Sequence, residues 1–372
     1  MTRRIRPILD IFLALTRSMR FPISRAMSPV PVHHPAIIAL ASGLVLLVST
    51  ATAPSKAAEV LAGIKGADDR LTMVSNEYPW SAVGRINTET GGHCTGVLVG
   101  PNVVITAAHC LYDKRKQWFV PPSHVHFVAG YFRQDDEYTG GEVKYQNTEY
   151  VGHSTAESYF IPDTYEEGVS PTGRIAVSDW AFIMLKEDIG SKSGWFGVKQ
   201  LDRQSLKQFL EMKTPFVQAG YSKDKKQELT AHINCPFEGF ASGLPLAVHR
   251  CDAVPGDSGS PIFFFEDGLP VLVAVHVATT RQQQPVRGIA VPTATFIDGI
   301  RELEIGQSGL PPPNDLLPQE TVRTLLAHLG YSGGGQLDGA IRRFQTSEGL
   351  AATGEVSYGL VGRLVTAMAR KQ

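Results

Sequence analysis

Between Gly66 and Ala290 the apolar residues of this chain come in short runs, each closed by Gly, Pro, Asn or Asp. That texture limits the fold more than any other feature. "HCTGVLVG" and "VVITAAHC" flank "GPN", and "PIFFF" and "LPVLVAVHVA" flank "EDG". Each pair reads as a β-hairpin, because two strand-length apolar runs are separated only by residues that favour tight turns. "DWAFIML" reads as a further buried strand, and helical spacing is scarce until "PTATFIDGIRELE". Many short strands with frequent turn signals predict an all-β sandwich or barrel.

The two ends depart from this texture. Residues 1–57 are basic, with Arg3, Arg4, Arg6, Arg17, Arg20 and Arg25, and they contain the apolar run Ala36–Thr50. At about 15 residues that run is short for a membrane span and right for the core of a signal peptide. Ser55-Lys56-Ala57 offers small residues where a signal peptidase reads, predicting cleavage before Ala58; Met27 is an alternative start. Membrane attachment is expected only if this leader is kept as an anchor. Near the other end, residues 306–317 hold three consecutive prolines, which fit neither a helix interior nor a central strand and predict a semi-rigid linker.

Residues 318–372 change to a helical pattern. In "TVRTLLAHLG" the residues Val322, Leu325, Leu326 and Leu329 fall on one face, and Gly330 is placed to end the helix. "AIRRFQTSEG" predicts a second helix stopped by Gly349. "SYGLVGRLVTAMA" predicts a third, with Ser357 as N-cap and Leu360, Val361, Leu364, Val365 and Met368 on one side. The chain is thus divided into a leader (1–57), a β domain (58–305), a linker (306–317) and a small three-helix module (318–372).

A composition of 43% hydrophobic and 19% charged residues supports a real core, and a formal charge of −1 argues against nucleic acid as a partner. The four cysteines, Cys94, Cys110, Cys235 and Cys251, are an even set with no C-x-x-C spacing, so a zinc site is not expected. In an oxidising compartment they form two bridges by one of three connectivities. Pairing nearest neighbours would close loops of about 16 residues, each worth about 3 kcal/mol.

"CDAVPGDSGSP", Cys251 to Pro261, sets a serine between two glycines, a composition that on its own also suits a surface turn. Two other stretches supply partners for Ser258. "VVITAAHC" ends a strand at His109, and "VSDWAFIML" leads into one from Asp179. A serine hydroxyl is a poor nucleophile near neutral pH; it needs a base to take its proton and a carboxylate to hold that base's tautomer. Gly256 and Ser258 could aim backbone N–H groups at a developing oxyanion.

"TAAHC", "DWAFIML" and "GDSGSP", in that order, resemble the chymotrypsin-fold (trypsin-like) serine peptidases. "GADDRLTMVSNEYPWSAVGRI", "GGHCTGVLVGPNVVITAAHC", "QAGYSKDK" and "GDSGSPIF" are similar to the bacterial glutamyl-endopeptidase-like branch, over roughly residues 64 to 305. The resemblance implies a mainly β fold of two antiparallel β-barrels, with His109 as general base, Asp179 orienting it, Ser258 as nucleophile, and Gly256 and Ser258 as the oxyanion hole. It also implies the bridges Cys94–Cys110 and Cys235–Cys251, protein or peptide substrates, and no metal or cofactor.

Two residues compete for the specificity pocket. His276 in "LVAVHVATT" matches the histidine that contacts an acidic substrate side chain in the glutamyl-specific branch. Asp252, six residues before Ser258, matches the trypsin aspartate that pairs with Arg or Lys, or braces the loop. Asp257 is the expected partner of a new N-terminal ammonium, made by processing between Ala57 and Met73. The tail words "TVRTLLAHLGY", "LDGAIRRFQ" and "GLAATGEVS" resemble a small peptidoglycan-binding domain, with Tyr331, Asp338, Arg343 and Gln345 as polar candidates. The expected function is therefore an exported serine endopeptidase, periplasmic or cell-wall associated and tethered through its tail. The rival of a different class is a cell-wall binding protein with an inert peptidase-like domain.

Overall fold

The run "PIFFF" contains no polar alternation because both of its faces are buried. In strand Pro261–Glu266, Phe263 and Phe265 turn to one hydrophobic cluster, while Ile262 and Phe264 turn to another. Successive side chains of a strand point to opposite faces, so a wholly apolar strand marks a sheet covered on both sides. The structure is a computed structural model that describes residues 61–133, 148–166, 174–280, 285–312, 317–331 and 336–371. The leader, with its apolar run and the Ser55-Lys56-Ala57 site, lies outside the described residues, as do Pro313 and the rest of 313–316.

Two β units make the body. The first is a closed six-stranded barrel, in the order Gly152–Phe160, Ala181–Leu185, Val103–Thr106, His93–Leu98, Val83–Thr88 and Val125–Ala129. The hairpin read from "HCTGVLVG" and "VVITAAHC" is present, with Val97 opposite Ile105. The second unit is a nine-stranded sheet whose path runs from Arg70–Thr72 through Thr230–Ile233, Val217–Gly220, Pro261–Glu266, Leu269–Thr279, Gly288–Pro292 and Ala247–His249 to Phe237–Phe240. Gly197–Val198 adds a short parallel partner to Leu269–Thr279. The fold is thus mainly β with two units, as expected, but the second is an open half-barrel rather than a closed one. The hairpin around "EDG" is also present, with Glu266 opposite Leu269.

Two local readings shift. "DWAFIML" forms its strand from Ala181, leaving Asp179 in the turn before it. A helix over Arg203–Glu211 was not foreseen; Asp202 caps it by accepting the N–H of Ser205 at 2.8 Å, while the Ser205 hydroxyl takes the Asp202 N–H at 2.8 Å. Such a reciprocal box satisfies N–H groups that a helix start leaves open.

The tail helices lie at Gln319–His328, Leu337–Ser347 and Tyr358–Ala369, with Val322, Leu325, Leu326, Leu360, Val361, Leu364 and Val365 buried as the spacing predicts. Ser357 caps the third helix, accepting the N–H of Leu360 at 3.2 Å. The third of these helices packs on the second sheet. Gly362 faces Phe265 so closely that a Cβ would come within 3.0 Å of that ring, and Gly359 meets the hairpin glycine Gly268. Tyr358 stands edge-on to Tyr78 with ring centres 5.5 Å apart, and Asn234 Nδ2 donates to Ala369 O at 3.1 Å. The first helix has no side-chain cap of its own, because Pro318 precedes it. Its open N–H groups instead meet Glu77 of the body, with Glu320 N at 3.0 Å from Oε1 and Thr321 N at 2.6 Å from Oε2. A carboxylate there also complements the positive end of the helix dipole. Glu77→Ala is therefore expected to destabilise the fold by about 1 kcal/mol, read as a lower Tm in a thermal melt of the full chain.

Candidate active site

His109 sits in a single helical turn, Ala108–Leu111, entered directly from barrel strand Val103–Thr106. The next residue, Cys110, is bridged to Cys94 on the adjacent strand, which ties the turn to the barrel wall. Strand Ala181–Leu185 pairs with the same strand, Ala181 opposite Thr106, and this register brings Asp179 to the histidine. The carboxylate grips it twice. Oδ1 accepts the backbone N–H of His109 at 2.9 Å and Oδ2 meets Nδ1 at 2.8 Å. A carboxylate only accepts, so the imidazole hydrogen lies on Nδ1 and Nε2 carries the lone pair. The Asp179 side chain is 9% exposed and that of His109 23%, so the carboxylate is the shielded member of the pair.

Ser258 comes from the other unit, on the loop before strand Pro261–Glu266, and is half-buried. Its flanking glycines are dictated by crowding. Gly256 has φ +101, and a Cβ there would stand 2.4 Å from Tyr221 O and 2.7 Å from His93 Nε2. Gly259 has φ +84, with Thr95 O at 2.1 Å and Thr106 Oγ1 at 2.2 Å from any added Cβ. No L side chain fits at either position. The loop's N–H groups divide into two sets. Those of Asp257, Gly259 and Ser260 donate to Val254 O, His276 O and Asp257 O, at 3.1, 2.8 and 2.9 Å. The N–H groups of Gly256 and Ser258 donate to no described residue.

Thr95, at the middle of barrel strand His93–Leu98, holds this loop across the gap between the units. Its N–H donates to Ser258 O at 2.9 Å, and its hydroxyl donates to Gly256 O at 3.0 Å while accepting the N–H of Tyr221 at 2.9 Å. Thr106 Oγ1 donates to Thr95 O at 2.8 Å. No motif marks either threonine, nor His93, whose Nε2 meets Tyr221 O at 2.7 Å and whose burial holds it down to about 4. The one available signal was a fully buried-type strand, "HCTGVLVG", interrupted by a polar residue.

On the far side of the loop, bridge Cys235–Cys251 anchors its start. His276 is buried, and its Nδ1 lies 3.0 Å from His249 Nε2. His249 is also buried, and its Nδ1 accepts the N–H of Cys251 at 3.2 Å. That acceptance places the hydrogen of neutral His249 on Nε2, which then donates to His276 Nδ1, so His276 carries its own hydrogen on Nε2. Burial, with His276 beside it, keeps His249 well below the ordinary histidine range and therefore neutral. Asp252 is 2% exposed. It accepts the backbone N–H of Lys65 at 2.6 Å and that of Asp69 at 3.4 Å, and its Oδ2 is 3.6 Å from His232 Nδ1. The Lys65 ammonium bonds Gly63 O at 2.9 Å and also Cys251 O. Burial lowers it to about 8, with Asp252 opposing that shift. Asp252 thus braces residues 65–69 against the loop. Cys94, His109 and Cys110 converge as metal ligands do, but their sulfurs are joined and offer no thiolate.

Of the tail candidates, Tyr331 and Arg343 are together, Arg343 donating to Tyr331 O at 3.2 Å, and Tyr331 OH meets Ser347 Oγ at 2.5 Å. Asp338 is exposed on the second helix. Gln345 is buried elsewhere, bonding Thr353 Oγ1 at 3.0 Å and the N–H of Gly354 at 2.9 Å, which makes it part of the turn rather than of a surface.

Residues 71–235 match the Trypsin family. That match spans less than half of the chain. Over 219 residues it is 30% identical to a glutamyl endopeptidase of Bacillus licheniformis, a match covering 56% of this chain and 57% of that protein. A shorter match, 38% identical over 61 residues, links it to an extracellular metalloprotease of Bacillus subtilis, covering 15% of this chain and 20% of that protein. The chain therefore spans little more than half the length of the first of these relatives. Among solved structures, a Glu endopeptidase in complex with MPD is 21% identical with a TM-score of 0.47, covering 65% of this chain and 99% of that one. Ser258 lies past the segment matched to the Trypsin family, while the Thr95 that seats it lies inside that segment. Thr95→Val would strand the buried Tyr221 N–H and release the loop carbonyl of Gly256. A loss of about 1–3 kcal/mol is expected, measured as a lower urea midpoint with unchanged m-value.

Proposed function

We propose that the chain is a serine endopeptidase that hydrolyses peptide bonds through an acyl-enzyme on Ser258. The observation that carries this reading is the doubly held His109–Asp179 pair on one unit, opposed by a serine loop whose Gly256 and Ser258 N–H groups take no partner among the described residues. In the proposed course, His109 Nε2 takes the Ser258 proton as Oγ attacks the substrate carbonyl. The Gly256 and Ser258 N–H groups stabilise the oxyanion. The C–N bond then breaks as His109 returns the proton to the leaving amine, and water, deprotonated by the same base, hydrolyses the ester. Asp179 keeps the imidazole in the required tautomer throughout. His109→Ala or Ser258→Ala is expected to lower kcat by about four or more powers of ten.

Cleavage after acidic residues is the finer reading. It is supported by the tautomer imposed on His276, which makes Nε2–H a donor suited to a carboxylate. Against the rival, the Asp252 carboxylate is engaged by two backbone N–H groups and stands beside the Lys65 ammonium, so it is poorly placed to attract Arg or Lys. The name of the Bacillus licheniformis relative points the same way. Cleavage-site mapping on a proteome-derived peptide library, with Ser258→Ala as control, tests this. Cuts after Glu or Asp are expected, and His276→Ala is expected to lower kcat/KM on Glu peptides by about 10- to 100-fold. Cuts confined to Arg or Lys would return the pocket to Asp252 and overturn the acidic preference.

Export and attachment to the cell wall complete the proposal. The basic leader with its apolar run supports export, as do two disulfides, which persist in oxidising compartments. Attachment rests on the tail motif and on Tyr331, just past the first tail helix, lying beside Arg343 of the second.

A further inference from the structure

Asp257, one residue before Ser258, is a buried carboxyl. Its Oδ2 accepts the Ser222 hydroxyl at 2.7 Å and the Val254 N–H at 2.9 Å. Its Oδ1 lies against Gly220, where an added Cβ would stand 2.5 Å away. A carboxylate so enclosed is costly unless a cation stands near it. That cation is inside the fold. Arg70 Nη1 donates to Ser222 Oγ at 2.9 Å, and the guanidinium is fixed on both sides. Nε and Nη2 each reach Asp68 at 2.8 Å, and Nη1 and Nη2 reach Asp224 at 3.2 and 2.7 Å. The Arg70 side chain is 2% exposed, so the fork is held dry. Ser222 has one hydroxyl hydrogen and gives it to Asp257, while its lone pairs face Arg70. The relay therefore has a direction, from guanidinium to hydroxyl to carboxylate.

The carboxylate in turn shapes the loop. Val254 N–H donates to Asp257 Oδ2 and Asp257 N–H to Val254 O, closing a turn around Pro255 and Gly256 from both ends. Ser260 N–H donates to Asp257 O at 2.9 Å, closing the next turn around Ser258. The orientation of the Gly256 and Ser258 N–H groups thus hangs on where Asp257 sits.

We propose that Arg70 is the positioning residue of the serine loop: through Ser222 it holds the Asp257 carboxylate, and with it the Gly256 and Ser258 N–H pair, so that an internal cation does the work otherwise given to a newly made chain terminus. This rests on the peptidase reading above. Arg70 touches no reacting atom, and its effect passes through two other side chains.

A role of this kind leaves a signature in pH. Burial pushes the Asp257 carboxyl up to about 6, while the Ser222 and Val254 hydrogen bonds and the Arg70 charge oppose that rise and Asp224 adds to it. Lys65, at about 8, also acts on this carboxyl with its positive charge, and Asp68 faces it only across Arg70. His93, beside Gly256, is held down to about 4 and stays neutral above that. As a carboxyl with a raised value, Asp257 destabilises the fold when ionised, and its ionised form is the one that both donors address. Activity that needs it is present above about pH 6 and lost as pH falls through that value. Removing the Arg70 charge or the Ser222 donor raises the carboxyl further, so the loss moves to higher pH.

The test is kcat and KM on one well-cleaved peptide from pH 5 to 9, for the full chain and for Arg70→Gln, Arg70→Lys and Ser222→Ala, each with a thermal melt. Ser222→Ala and Arg70→Gln are expected to lower kcat by about ten- to a hundredfold with little change in KM, and to move the acid limb up by about one pH unit. Arg70→Lys, which keeps the charge, should restore most of the limb. If Ser222→Ala and folded Arg70→Gln keep both kcat and the acid limb, Arg70 is only a brace and the inference is wrong. Should Arg70→Gln fail to fold, Ser222→Ala decides alone, since it removes a single oxygen. Absence of Ser258-dependent turnover in the unaltered chain would instead sink the peptidase reading and this inference with it.

Discussion

The geometry of the site depends on one threonine that belongs to neither the histidine nor the serine segment. Thr95 lies on a barrel strand, fully buried, yet every polar atom it offers is turned to the other β unit or to its neighbour strand. Buried polar groups left unpaired cost about 1–3 kcal/mol each. The two units therefore come together in the arrangement that lets Thr95 meet Ser258 O, Gly256 O and Tyr221 N–H at once. The glycines follow from that contact, because Gly259 packs so tightly on Thr95 O that a Cβ has no room. A histidine held by the barrel and a serine held by the sheet are thus set in register by a contact between their scaffolds.

Charges around the loop obey the same rule of compensation. Arg70 is shared by Asp68 and Asp224, and Lys65 stands beside Asp252, so each of these two cations has a carboxylate near it. Both cations come from residues 65–70, the stretch that opens the second sheet, and both address the loop between Cys251 and Ser258. The start of the described chain is for this reason part of the site's support. The first tail helix is capped by Glu77, and the third is seated on the same sheet at Phe265 and at the hairpin glycine Gly268.

Much of this could be read in the sequence, and what could be read was local. Turn residues between apolar runs gave both hairpins, and the 3.6-residue spacing of Val322, Leu325, Leu326 and Leu329 gave a tail helix with that face buried. The resemblance supplied both bridges, Cys94–Cys110 and Cys235–Cys251. It also named His109 and Asp179, which the strand register brings within hydrogen-bond reach. What escaped was long-range. Thr95 and Gly256 are 161 residues apart, and Arg70 and Ser222 are 152 apart. No periodicity or turn signal links such pairs, and an arginine or threonine in isolation looks like any other. Asp252 shows the limit in another way. Its spacing to Ser258 allows a pocket floor and favours a brace, and its engagement by the Lys65 and Asp69 N–H groups, which no spacing announces, supports the brace.

The central claim is that Ser258 is made nucleophilic by His109 on a loop with an open oxyanion site. The most direct test is intact-protein and peptide mass spectrometry after exposure to a fluorophosphonate, which reacts only with a serine so activated. The account predicts one adduct per chain, on Ser258, lost when His109 is replaced by alanine. A chain that stays unmodified, or one modified equally without His109, would contradict it.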